Sequence, residues 1–222
     1  MAGKLIIIEA GDGCGKATQT AKLYNRLAAE GYPVRKVEFP NYASPSSALI
    51  KMYLGGEFGT QPDAVNAYAA SAFFAVDRFA SYKASWGDWY HQGGIILADR
   101  YTTSNMVHQA VKIADGEERN RFLDWLWDLE FVKFALPVPD QVLFLDVPPQ
   151  LSGRLLAERA AQAEAKPDIH ERDQDYLVRC YHSYRMLAER YQWQSIECVN
   201  AHELKSIEQI HQEIYQSVKK IL

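Results

Sequence analysis

Short apolar runs, many of them β-branched, recur along the chain at Leu5 to Ile8, Val34 to Phe39, Ile95 to Ala98, Val142 to Val147 and Ser195 to Val199. Their length and composition predict strands, several of them buried on both faces of a sheet. Between them the apolar positions recur with helical spacing. Leu23 and Leu27 mark a first helix, Ser46 to Leu54 a short second one ended by Gly55 and Gly56, and Pro62 to about Trp89 a long third. Further helices are expected from Ser104, over Glu117 to Phe134, over Leu151 to Ala165, from Tyr176 to Tyr191, and through Ile207, Ile210, Ile214, Val218 and Ile221. Strands alternating with helices predict an α/β fold, a five-stranded parallel sheet with helices on both faces.

The 222 residues fit one domain, 1–222, and no stretch has the composition of a linker. A formal charge of −4 argues against a nucleic-acid binder, so any phosphate ligand must be met by locally placed cations. No apolar run has the length of a membrane span, and the three cysteines, Cys14, Cys180 and Cys198, lack metal-ligand spacing. With no leader-like start, these features point to the cytoplasm and away from a membrane partner.

The first strand breaks into Glu-Ala-Gly-Asp-Gly-Cys-Gly-Lys-Ala-Thr-Gln over positions 9–19. A strand, a glycine loop and a helix in that order let backbone N–H groups converge on a phosphate, the helix adds its positive end, and a lysine reaches the outer phosphates. Gly11, Gly13 and Gly15 would shape the cradle, with Lys16 as the cation. The pattern departs from G-x-x-x-x-G-K-[ST] at Ala10 and at Ala17, where a metal-binding hydroxyl would stand. Thr18 is one residue further on, about 100° around the helix. A glycine-rich turn with a surface lysine is the plainer alternative.

Other candidate chemistry sits at strand ends. Phe39-Pro40-Asn41-Tyr42 opens a loop where open α/β sheets bind ligands. Asp99-Arg100-Tyr101 closes the third strand, a costly place for charges unless they are matched or used. Phe74 and Arg78 share a helix face at i and i+4, and Lys166 to Asp173 is a charged interruption between two helices.

In order and spacing these parts resemble the thymidylate kinases, a branch of the P-loop nucleoside monophosphate kinases. The resemblance runs through the glycine loop, Phe39-Pro-Asn-Tyr42, Phe74-x-x-x-Arg78, Asp99-Arg100-Tyr101, Ser104-Asn105, Leu136-Pro-Val-Pro-Asp140 and Tyr184-x-x-Leu-Ala. It implies a P-loop NTPase-type three-layer fold and transfer of the γ-phosphate of ATP to thymidine 5′-monophosphate with Mg²⁺, a step of dTTP synthesis. By that resemblance Gly11, Gly13, Cys14, Gly15, Lys16, Ala17 and Thr18 would hold ATP, and Asp99 and Thr18 the metal. Asp12 would face the acceptor, Phe74 would stack on thymine, and Arg78 would reach the monophosphate or the base edge. Arg100 would clamp the monophosphate, Asn105 with Ser104 would read the base side, and Phe39 and Tyr42 would wall the pocket.

Some members carry an arginine in the loop where Gly13 and Cys14 stand here, and others an arginine at the place of Tyr42. A lid over about 159–175 would then supply the catalytic cation, with Lys166 the first choice, Arg172 the second, and Arg159 beside them. A homodimer is expected, with Trp86, Trp89, Trp125 and Trp127 as candidates for its face. Two alternatives stay open on the residues alone: a deoxynucleoside kinase on the same fold, and a nucleotide-binding regulator impaired in catalysis by Ala10 and Ala17.

Overall fold

A computed structural model describes residues 3–162, 168–201 and 203–222, and for 157–162 the course of the backbone only. The strands are β1 (Lys4–Glu9), β2 (Val34–Glu38), β3 (Ile95–Asp99), β4 (Gln141–Asp146) and β5 (Gln194–Glu197). They form one parallel sheet in the order β2-β3-β1-β4-β5. The helices are α1 (Lys16–Ala29), α2 (Ala48–Gly55), α3 (Ala67–Ser81), α4 (Gly87–His91), α5 (Thr102–His108), α6 (Gly116–Trp127), α7 (Pro149–Gln162), α8 (Gln174–Arg190) and α9 (Ile207–Val218).

The period of two along the central strands divides the core. Leu5, Ile7, Ile96, Ala98, Val142 and Phe144 face a layer with Met106 and Val107 of α5, Phe122 and Leu126 of α6, and Tyr184 and Leu187 of α8. Ile6, Ile8, Ile95, Leu97, Leu143 and Leu145 face Leu23 and Leu27 of α1 and Ile210 and Ile214 of α9. Leu5 to Ile8 are fully buried, each such side chain contributing about 1.5–3 kcal/mol. This double burial is why those strands read as unbroken apolar runs.

Chain leaving β1 runs to α1 on one face, whereas chain leaving β3 runs to α5 on the other. Since β1 and β3 are neighbours, a crevice opens between their carboxyl ends, the usual ligand position in such sheets.

The long helix expected over 62–89 is divided. A 3-10 turn at Pro62–Ala64 comes first, Asn66 caps α3 by accepting from the Ala69 N–H, and a π-helical turn at Tyr82–Trp86 leads into α4. The stripe expected over 117–134 is also interrupted. Phe122 and Leu126 are buried, but a π-turn at Asp128–Lys133 advances the side-chain phase, so Glu130 turns inward and Val132 outward. After β5 an unexpected hairpin pairs β6 (Val199–Asn200) with β7 (Glu203–Leu204). Trp86 is fully buried, which removes it from the proposed dimer face. No helix among the described residues is long and apolar enough to cross a membrane.

Candidate active site

The glycine loop lies between β1 and α1 as expected. Gly13 and Gly15 have φ of 75° and 81°, a region costly for a side chain, and a Cβ at Gly13 would stand 2.8 Å from Cγ of Leu156 on α7. Gly15 caps α1, whose first turn carries no acidic residue, so its positive end is uncompensated. Lys16 is buried, and its Nζ donates to the carbonyls of Ala10 at 2.9 Å and Gly11 at 3.0 Å. Burial and nearby Arg100 lower its pKa, opposed by Asp12 and Asp99. Residues 12–18, Asp99, Arg100 and Leu155 line a cavity of about 500 Å³ over the loop. Thr18 is exposed there, whereas buried Thr20 donates its hydroxyl to the Lys16 carbonyl at 2.9 Å.

Arg100 stands at the head of the crevice with φ of 68°, left-handed backbone for a residue that has a side chain. Its Nη2 donates to Asp12 Oδ1 in an ion pair. Its Nη1 contacts Ser104 Oγ at 3.0 Å, Tyr184 OH at 3.2 Å and His108 Nε2 at 3.4 Å. Burial raises the Asp12 pKa, but Arg100 and Lys16 overcome it and hold the carboxyl well below the usual range. Burial opposes charge on Arg100 too, yet Asp12, Tyr184 and Glu9 keep it firmly protonated. Glu9, the last residue of β1, is fully buried and accepts from Thr103 at 2.5 Å, Ser104 and Tyr184.

A second cavity, of about 580 Å³, opens on the other side of Arg100. Phe39, Tyr42, Phe74, Arg78, Ser104 and Asn105 all line it, together with Asp12, Asp99 and Arg100, which it shares with the first. Asp77 fixes the loop after β2 by accepting from the Asn41 N–H at 2.8 Å and the Ser46 hydroxyl at 2.5 Å. Phe74 sits edge-on to Tyr53, their centroids 6.3 Å apart, and Asn105 donates to the Ser71 carbonyl at 3.2 Å.

Arg78 is corrected in one respect. Its Nε and Nη2 form a fork with Glu130 at 2.6 and 2.5 Å, with Arg78 2% exposed and Glu130 fully buried, so its charge is already matched. Arg100, not a pair of guanidinium groups, is therefore the arginine at the junction of the cavities.

Among its described residues the charged interruption brings groups that the sequence did not single out. Lys166 lies outside the described residues, as does the side chain of Arg159, and exposed Arg172 lines neither cavity. Asp168, His170 and Glu171 do line the second cavity. Asp168 accepts from the N–H groups of His170 and Glu171 at 2.8 and 2.9 Å, and burial raises its pKa to about 6. His170 Nε2 lies 2.8 Å from the Tyr53 hydroxyl and its ring stacks on His108 at 5.7 Å, and burial lowers its pKa to about 4. Buried Gln109 reaches the same cavity. No periodicity marks these groups; the strand-end argument that singled out Asp99 applied equally to Glu9.

For a divalent metal, Asp99 and Thr18 offer side-chain oxygens at the first cavity while the Asp12 carboxylate is paired with Arg100, and no cluster of three or more His, Cys, Asp or Glu able to hold a metal occurs among the described residues. That fits Mg²⁺, which takes one or two protein ligands and fills its octahedron with phosphates and waters.

A family model described as Thymidylate kinase matches residues 8–214. The thymidylate kinase of Mycobacterium tuberculosis (strain CDC 1551 / Oshkosh) is 31% identical over 186 residues, 83% of this chain and 85% of that protein. The human thymidylate kinase is 27% identical over 214 residues, covering 96% and 88%. A solved thymidylate kinase from Candida albicans has the same fold, with a TM-score of 0.70 at 21% identity over 99% of this chain and 92% of that one. With the match extending through nearly all of the described fold, this chain belongs to the thymidylate kinase family and phosphorylates dTMP to dTDP.

Proposed function

We propose that the two cavities hold the two nucleotides end to end and that phosphoryl transfer takes place where they meet. Family membership implies ATP as the donor. The observation that carries the reading is that the cavities share Asp12, Asp99 and Arg100. The loop amides, Lys16 and the start of α1 bind the donor phosphates. Phe74 stacks on thymine, a contact of about 1–3 kcal/mol by comparison with other base stacking. Arg78, held by Glu130, meets the base edge beside Asn105, while Arg100 turns from Asp12 to the acceptor phosphate.

Both reactants are anions, so catalysis consists chiefly of alignment and neutralisation of charge. Asp99 and Thr18 hold Mg²⁺, which when bound screens the donor phosphates. Arg100 and Lys16 supply the fixed positive charge at the transfer point, and a cation of the 159–175 segment completes it, Lys166 or, after moving in from its position outside both cavities, Arg172. Coupled ADP release with dTMP, thymidine and other monophosphates as acceptors tests this reading. Turnover with thymidine as fast as with dTMP would refute the clamp, and turnover indifferent to Mg²⁺ would refute the metal.

The product feeds dTTP synthesis in the cytoplasm, and the enzyme acts as a homodimer. Leu49 on α2 and Val76 on α3 are about half exposed, and Phe58 packs on Phe73 beside them, an apolar face suited to a second copy. Of the tryptophans, only Trp127 has comparable exposure. Val76→Glu should convert the dimer to monomer in light scattering, and a monomeric unmodified protein would overturn the assignment.

A further inference from the structure

We propose that Glu9 is a positioning residue for Arg100, acting through two hydroxyl groups; the inference rests on the reading of Arg100 as the acceptor's phosphate clamp. Glu9 is 0% exposed, and none of the ion pairs among the described residues includes it. A carboxylate so placed is costly unless hydrogen bonds satisfy it. Those bonds all come from neutral hydroxyls, Thr103 at 2.5 Å, Ser104 at 3.0 and 2.9 Å, and Tyr184 at 3.1 Å.

Ser104 and Tyr184 also accept from Nη1 of Arg100, at 3.0 and 3.2 Å. Each hydroxyl has one proton, and an ionised carboxylate can only accept. Both protons point to Glu9, the Tyr184 hydroxyl lying nearer to it at 3.1 Å than to His108 Nε2 at 3.4 Å, and the lone pairs of both oxygens turn to the guanidinium. The carboxylate fixes the direction of two relays that hold Nη1, leaving Nη2 toward Asp12 and the shared boundary of the cavities. The tyrosine is itself held, its ring stacked on Phe144 at 5.1 Å with 7° between planes. An amide in place of Glu9 would donate to one of the hydroxyls, whose proton would then turn toward the guanidinium and break the relay.

The test is Glu9→Gln, assayed by steady-state kinetics for both substrates and by thermal unfolding. The expected result is a rise of about tenfold in KM for dTMP, with KM for ATP within about twofold. In a Ser104→Ala/Tyr184→Phe background the same substitution should add less than about twofold, since the relays are already gone. Equal increases in both KM values, or an undiminished effect in that background, overturn the proposal in favour of a scaffold role. Should Glu9→Gln fail to fold, Tyr184→Phe and Ser104→Ala alone decide: each should raise KM for dTMP selectively, and unchanged values overturn it. Arg100→Lys is measured alongside. If it leaves KM for dTMP unchanged, the clamp reading itself falls, whereas a loss there with no effect at Glu9 refutes this inference alone.

Discussion

Removing the charge of Glu130 should be among the most damaging single changes in the protein. Its two oxygens take the Nε and Nη2 protons of Arg78 at 2.6 and 2.5 Å, and Oε2 also takes the Thr102 hydroxyl at 2.7 Å. With neither side chain more than 2% exposed, water cannot replace a lost partner. Glu130→Gln keeps the shape but turns an amide donor against one of the guanidinium donors, leaving a buried cation uncompensated at a cost of about 3–5 kcal/mol. Arg78→Met should cost a similar amount. Arg78→Met/Glu130→Leu should recover most of it, because apolar replacement of both partners is often neutral, short of about 1 kcal/mol for the stranded Thr102 hydroxyl. Urea unfolding of the four proteins gives the coupling energy. A Glu130→Gln loss below about 1 kcal/mol, or single losses that simply add in the double variant, would show that solvent reaches the pair and that the reasoning is wrong. On the proposed reading of the second cavity as the acceptor site, the double variant should also bind dTMP more weakly despite its recovered stability, since Arg78 lines that cavity.

Asp168, its pKa raised to about 6, binds its proton more tightly in the folded chain, so it weakens the fold as pH rises from about 4 through about 6. Asp168→Asn should therefore gain about 1–2 kcal/mol on the parent at pH 8 and almost nothing at pH 4, since solvent partly screens this half-buried carboxylate; a gain independent of pH would refute the assignment. Thr18→Ala should raise the Mg²⁺ concentration needed for half-maximal rate, whereas Thr20→Ala should instead lower stability by about 1 kcal/mol, and equal effects on metal dependence would deny Thr18 a special role. Gly13→Ala should lower affinity for ATP and cost about 1–2 kcal/mol in unfolding, because φ is positive there and Leu156 stands in the way; Leu156→Ala should relieve the crowding but not the strain, so full recovery in the pair would disprove the backbone argument.

The sheet was legible in the chain because β1, β3 and β4 bury side chains on both faces, which leaves no polar interruption to blur them. Glycine loop, strand-end acid and arginine were legible for a different reason: each is a local pattern with one physical use. What stayed hidden depends on contacts between distant positions. Nothing near Arg78 announces Glu130, 52 positions away, and only a π-turn that shifts the side-chain phase brings it inward. The segment before α8 read as a charged interruption that would supply a lid cation, yet Ile169 docks in the cluster of Ile50, Tyr53 and Leu54, and Asp168 and His170 beside it line the second cavity. Trp86 read as a candidate for a dimer face, but its ring is buried between Tyr82 and Tyr101.

The backbone at Arg100 sits where glycine or asparagine would be at ease, yet neither carries a cation. Local comfort and the proposed phosphate capture therefore pull this codon in opposite directions. A library sorted by heat resistance alone would lean toward small residues at 100 and accumulate sturdy proteins that turn nothing over, whereas sorting on dTDP production would keep the discomfort in place.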